Sequence, residues 1–457
     1  MAGSAVAAPP RPVRPVRPLG HLDFVVMSVY WVAIGYLWNS MGLLVVPYLV
    51  EHVVGKGLEG TATAFMENLG TLVAIVWQPL MGAVSDRTRS RWGRRRPFIF
   101  VGTIGDAVFL TAIALSGAYL PLVAGYVLLQ LASNTAQGPY QGLLPDLVPP
   151  VQKATASGYY GASNLLGTLL GAGASGIILA HAGVGAVLAS VGVALLFTMA
   201  LTVTLVPDRG QPTEALDRPL ALVRRTFTAP LHNRAFLWLM TSRLLILMGI
   251  VGIQTFLYFY FSNVFFHGDA ARVGTAFATT LGTAIVIAIL VSIPAARLSD
   301  RVGRRPLIFA SGMLGATGTM VLVFSHYQWV PGAVLDPLAR ALNVPPLAAQ
   351  ASLVGLVIGL GLGTFFSVDW AFITDVIPLT QAGLFLGFSN LATAGAGLIA
   401  RGLAGPVHDY FNQGPPILGL PGGYPVIFSI FFAWLVLGSL AVFKVPERVR
   451  RTSTSPA

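Results

Sequence analysis

Four ionisable side chains interrupt long apolar runs of this chain, Glu67, Asp106, Arg243 and Asp369, and Arg401 lies near the end of another run. Burying an unpaired charge costs several kcal/mol, so each needs a partner or a wet cavity. A carboxyl whose surroundings alternate between apolar and cationic takes up and releases a proton. Asp369 sits in SVDWAF beside Trp370, and Arg243 in TSRLL. Each lies about nine residues, roughly 13 Å, from one end of its run. The two are read as a proton-coupling acid with its guanidinium partner, or as a permanent ion pair bracing that region. Arg243 could equally donate to a sugar hydroxyl. Asp106 is a further coupling candidate, set against a structural hydrogen bond to the second apolar run. Glu67 is read as lining an entrance or snorkelling to the surface.

A second set is neutral. Gln130, Asn134, Gln137, Tyr140 and Gln141 fall close together, and Trp38, Asn39, Gln254 and Trp370 lie in other apolar runs. Amides donate and accept without fixed charge, which suits sugar hydroxyls. Aromatic faces stack on the C–H side of a pyranose. Tyr258 and Tyr260 are more simply members of an interfacial aromatic belt.

The elements that must position these residues follow from composition. Of 457 residues 55% are hydrophobic and 10% charged, with 51 glycines and a mean hydropathy of +0.74. So little charge cannot keep a chain of this length dispersed in water, and the class expected is an all-α polytopic membrane protein. No cysteine is present, which excludes disulfides, thiolate metal sites and a cysteine nucleophile. Runs long enough to span a bilayer lie near 23–50, 61–84, 98–120, 122–144, 157–180, 184–206, 235–262, 273–297, 306–326, 348–376, 381–402 and 424–443. The net charge of +11 is gathered between them, which points to anionic lipid headgroups rather than nucleic acid. Twenty-three of 28 Lys and Arg fall on the loops facing the side of the termini; Lys56, Arg272 and Arg340 fall opposite, and Arg243 and Arg401 within or beside spans. Both termini are therefore expected in the cytoplasm. The expected divisions are a tail at 1–22, a six-helix bundle at 23–206, a cytoplasmic loop at 207–234, a second bundle at 235–443 and a tail at 444–457. The Pro- and Arg-rich start lacks the features of a signal peptide and reads as a disordered cytoplasmic tail.

The two halves repeat. SDRTRSRWGRRRP at 85–97 returns in shortened form as SDRVGRRP at 299–306, each time between the second and third span of its half. LLPDLVPP at 143–150 is matched by FITDVIPL at 372–379, so Asp146 corresponds to Asp375, and Ser163–Asn164 to Ser389–Asn390. Halves of even span number share one orientation and are related by an axis along the membrane normal, with the site between them.

Gly82, the SDR triplet and GRRRP, with the copy at 299–306, resemble the loop signature of the major facilitator superfamily. The longer form SDRTRSRWGRRRPFI, with NTAQGP at 134–139 and the Gln78–Pro79 before Gly82, resembles the sucrose/disaccharide–proton symporters of plants, their animal relatives and bacterial homologues. The resemblance implies the 6+6 pseudo-twofold fold, with the first, fourth, seventh and tenth helices lining a central cavity. It also implies a cytoplasmic gate of Gly82, Asp86, Arg87, Arg94, Arg95, Asp146, Asp300, Arg301, Arg304 and Asp375. Asp86 is then expected at the start of the eleventh helix near Gln381, and Asp300 at the fifth near Ser157. Topology and lipid contact alone would also explain the arginines. Aligned on NTAQGP, the relatives' acidic residue falls on Gln130 and their arginine on Gln141, so both charges are missing here.

The reading is a secondary active transporter importing a neutral sugar, a disaccharide or glycoside, by alternating access with protons as the coupling ion. The alternatives are proton-linked efflux of an amphipathic compound and an uncoupled sugar facilitator. No HExxH, nucleophile elbow or phosphate loop is present, so an enzyme is not expected. No metal or cofactor is expected, and the partners are the sugar and membrane lipids. The setting is a multi-pass monomer in the plasma membrane, that of a bacterium. The small-residue runs GTLLGAGASG at 167–176 and GLGLG at 359–363 are read as close-packing surfaces between helices.

Overall fold

The computed structural model describes residues 19–149, 152–208, 233–377 and 382–446, so most of both expected tails and of the 207–234 loop lies outside the described residues. Among the described residues there is no strand; long helices make up the chain, and a shorter helix at Gly332–Leu342 lies in the connection between two of them. They are α1 (His21–Val54), α2 (Glu59–Arg87), α3 (Arg96–Ala114) and α4 (Tyr119–Gln141). A continuous run then divides at Gly183, whose φ of 79° only glycine adopts easily, into α5 (153–182) and α6 (184–205). The second half holds α7 (Arg234–Phe266), α8 (Ala270–Val302), α9 (Arg304–Val323), α10 (Pro346–Val376), α11 (Ala382–Asn412) and α12 (Gly423–Ala441). Nine stretches among the described residues are long and apolar enough to cross a membrane, with α5 and α6 taken as one; α4 and α11 are the long helices outside that set.

Local chemistry sets several ends. Asn233 caps α7 by accepting from Phe236 N (3.1 Å), and Asp269 caps α8 through Ala271 N and Arg272 N. Gly303, at φ 100°, ends α8 and turns the chain straight into α9. Short π-helical segments widen α1 at Met41–Val45, α5 at Leu170–Ala174 and α7 at Phe261–Phe266.

Small residues let the helices close on one another. Gly355, Gly359 and Gly363 of α10 lie on Thr280, Ala284 and Ala288 of α8, and a Cβ at any of them would strike a backbone carbonyl. Gly167 and Gly171 of α5 lie in the same way on α1 at Gly35 and Asn39. Both small-residue runs thus serve packing, as the sequence suggests.

The halves meet along two seams. In one, α2 lies against α11; in the other, Gly176 of α5 meets Gly274 of α8, where an added Cβ would stand 2.6 Å from a carbonyl oxygen. Both seams lie on the side away from the arginine loops. Every cross-half hydrogen bond or ion pair whose two partners are described also lies there. Among the described residues the halves therefore close on one another at this far face, and no hydrogen bond or ion pair joins them beside the arginine loops.

Candidate functional site

The two arginine loops repeat in three dimensions. Arg95 reaches Asp86 (2.6 Å) and Asp146 (3.0 Å) and donates to Ser85 Oγ (2.9 Å), while Arg94 reaches Asp146 (2.5 Å). In the second copy Arg304 reaches Asp300 (2.8 Å) and Asp375 (3.2 Å) and contacts Ser299. Asp208 fastens the first loop by accepting from Arg95 N (2.6 Å) and Arg96 N (3.2 Å). Gly93 and Gly303 both take φ near +100°, and Gly82 lies against Gly138 of α4. Arg87 and Arg301 are exposed. Asp86 and Asp300 each pair with an arginine of their own half. Gln381 and the side chain of Ser157 lie outside the described residues.

The structure brings Asp369 and Arg243 together. They form an ion pair between α10 and α7, with Asp369 2% and Arg243 7% exposed. The guanidinium also donates to Thr393 Oγ1 of α11 (3.0 Å) and lies 5.7 Å from the half-exposed Trp370 ring. Neither ion faces lipid. All four residues belong to the second half.

A second ionic node crosses the halves, and sequence reasoning missed it. Arg401 of α11 pairs with Glu67 of α2 (3.1 Å) and donates to Asn68 Oδ1 (3.3 Å) and Thr71 Oγ1 (3.1 Å). Asn68 Nδ2 returns a bond to Leu398 O (3.0 Å). Glu67 is buried, so it neither snorkels nor lines an open entrance. The positions were visible as charges within apolar runs, but nothing along the chain pairs residues so far apart. Around this node stand several residues expected to meet substrate. Gln130 lies against Gly70, close to Glu67, and donates to Tyr126 OH (3.2 Å). Asn134 donates to Gln130 Oε1 (3.1 Å), and the Trp38 ring meets Tyr126 edge-on at 6.5 Å. Gln137 is buried one turn further on, bonded to Ser133 (2.8 Å).

Other expectations are corrected. Tyr140 is fully buried in an aromatic cluster with Tyr30 and Tyr160, and its hydroxyl donates to Met27 O (2.7 Å); it fastens α4 to α1. Asn39 joins α1 to α5 through Thr168 Oγ1 (3.2 Å). Gln141 is exposed at the end of α4. Gln254 lines a cavity within the second half, with Ile250, Leu281, Ile358 and Phe365. Tyr258 and Tyr260 are buried, not interfacial, and Tyr260 OH donates to Leu322 O (2.9 Å). Asp106 makes no hydrogen bond to α2: both carboxyl oxygens are buried without a partner among the described residues.

The geometry is one ion pair inside a half and one spanning both, below a closed face. Among the described residues no group of His, Cys, Asp and Glu could hold a metal. Sucrose transport protein SUC3 of Arabidopsis thaliana is 34% identical over 152 residues, covering 28% of this chain and 26% of its own length. This chain thus matches only about a quarter of the length of that relative. Sucrose transport protein SUT5 of Oryza sativa subsp. indica is 23% identical over 440 residues, covering 80% of this chain and 79% of its own. Among solved structures, the nucleoside transporter NupG has a TM-score of 0.64 at 13% identity, covering 93% of this chain and 98% of its own. A bacterial homologue of the iron transporter ferroportin in an inward-facing state has the same score at 15% identity, covering 93% and 99%. These likenesses show the fold, which is that of transporters and not of enzymes. The family model described as Major Facilitator Superfamily matches residues 19–401, and the chain belongs to that superfamily.

Proposed function

We propose that this protein imports a neutral sugar, a disaccharide or glycoside, across the plasma membrane by alternating access, and that protons drive it. The observation that carries this reading is the Glu67–Arg401 pair, which spans the halves at the closed face. Opening the far face separates the two ions, and a carboxylate left alone there must be hydrated or protonated. Closing it again restores the pair and releases the proton. Conformation and proton occupancy are thereby tied to one event.

The relatives named as sucrose transport proteins support a sugar as cargo. So do the neutral amides Gln130, Asn134 and Gln137, together with Trp370 over Arg243, which offers a stacking face beside a charged donor. Gln130, where the plant proteins carry an acid, moves the burden of coupling from α4 to Glu67 and Asp369. The arginine loops, facing the cytoplasm by their charge, hold the topology.

Purified protein in liposomes with an imposed pH gradient should accumulate labelled disaccharide. Entry that only equilibrates would reduce the protein to a facilitator, and no entry would end the sugar reading. Replacing Asp369 by Asn should abolish uphill uptake and spare counterflow exchange. Unchanged accumulation would leave Asp369–Arg243 as a brace and Glu67 as the coupling acid.

A further inference from the structure

About two turns further out on the α2–α11 seam stands a contact that neither the cargo nor the proton requires. Asp409, in the last turn of α11, reaches across to the first half. Its Oδ1 accepts from Gly60 N (3.1 Å) and its Oδ2 from Thr61 N (2.7 Å). Both donors belong to the first turn of α2, where N–H groups have no partner within the helix, and where the helix dipole favours an anion. Leu58, at the cap position of α2, offers no side-chain bond. The cap comes from the other half instead.

The carboxylate is held in that orientation. His408 Nδ1 lies 2.9 Å from Asp409 Oδ1. The ring is wholly buried, 4.7 Å from Tyr424 and 5.3 Å from Phe256, and its Nε2 has no partner among the described residues. The backbones touch as well. A Cβ on Gly60 would stand 2.8 Å from Asp409 Oδ1 and 3.0 Å from Gly405 O, and one on Gly405 would stand 2.6 Å from Gly60 O. The two bonds from α2 exist only at this separation.

We propose that Asp409, aligned by His408, is the latch that holds the far face shut by capping α2 across the two halves. The acceptor lies in one half and both donors in the other, so opening this face must break both bonds together. Neighbouring contacts run the opposite way: Ser262 donates to Glu51 (2.6 Å) and Asn263 to Glu59 (3.1 Å), second-half donors on first-half acids. The inference rests on the alternating-access reading, but not on the cargo or on proton coupling.

The natural chain has no cysteine, so a single reporter can be introduced. Ser262 is wholly buried at the seam, and Ser262→Cys should react slowly with a membrane-impermeant thiol reagent added at the far face of oriented proteoliposomes. Adding Asp409→Asn should raise that rate about tenfold, with Asp409→Glu in between. Gly60→Ala should raise it too, since the extra carbon forces the seam apart and leaves Asp409 intact. Exposed Arg340→Cys should react at the same rate in every background, which controls for reagent access and for the orientation of the protein. Equal Ser262→Cys labelling with and without Asp409→Asn and Gly60→Ala would overturn the latch. Sugar uptake by the same proteoliposomes tests the transport reading separately.

Discussion

Replacing Arg401 by Gln tests the cross-half pair most directly. The change removes a guanidinium that bonds Glu67, Asn68 and Thr71, and leaves Glu67 buried with one oxygen already unpartnered among the described residues. Removing one member of a buried ion pair typically costs about 3–5 kcal/mol. Here Asn68 and Thr71 remain beside the carboxylate and Arg401 is partly exposed, so about 2–3 kcal/mol is the appropriate figure. The whole of it falls on the far-closed state, because the pair does not exist when the halves part. That corresponds to roughly a 30- to 150-fold shift toward the far-open state. Spin labels across the far ends of α2 and α11 would read the populations by distance, and labelling from the far side would follow opening in membranes. Glu67→Gln should shift them less, since a neutral amide tolerates burial. The double variant should recover about 1–3 kcal/mol of the Arg401→Gln penalty. Strictly additive effects, or an unchanged distance distribution in Arg401→Gln, would refute the cross-half coupling.

Two further outcomes follow from the contacts. Tyr140→Phe removes the bond to Met27 O from a fully buried ring, so it should lower thermal stability by about 1 kcal/mol and leave the KM for sugar unchanged; a raised KM would return Tyr140 to the binding site. Arg95→Ala should destabilise the protein more than Arg304→Ala, because Arg95 is more deeply buried and bonds Asp86, Asp146 and Ser85 while the second copy faces water; denaturation midpoints of the two variants decide it.

Much of the site could be read along the chain. Asp369, Arg243, Glu67 and Arg401 stood out because an apolar run tolerates charge only for a reason. The repeated SDR and GRRP segments foretold matched loops, and the structure sets Arg95 and Arg304 on equivalent acids. What failed was direction. Tyr140 and Asn39 carry groups suited to a sugar, but their types do not say which neighbour each helix face meets, and both bond to protein. Tyr258 and Tyr260 seemed interfacial by position, yet both lie buried against other helices.

Composition, hydropathy and the doubled arginine loops determined the class, the internal repeat and which side chains had to be hydrated or paired. These are properties of a residue and its near neighbours, governed by the cost of placing charge in hydrocarbon. Tertiary structure alone decided that Glu67 belongs to Arg401, that Asp409 belongs to the start of α2, and that the far face is the one closed. Those contacts join helices more than three hundred residues apart. Their formation depends on how two helix surfaces fit, and no local pattern records that fit.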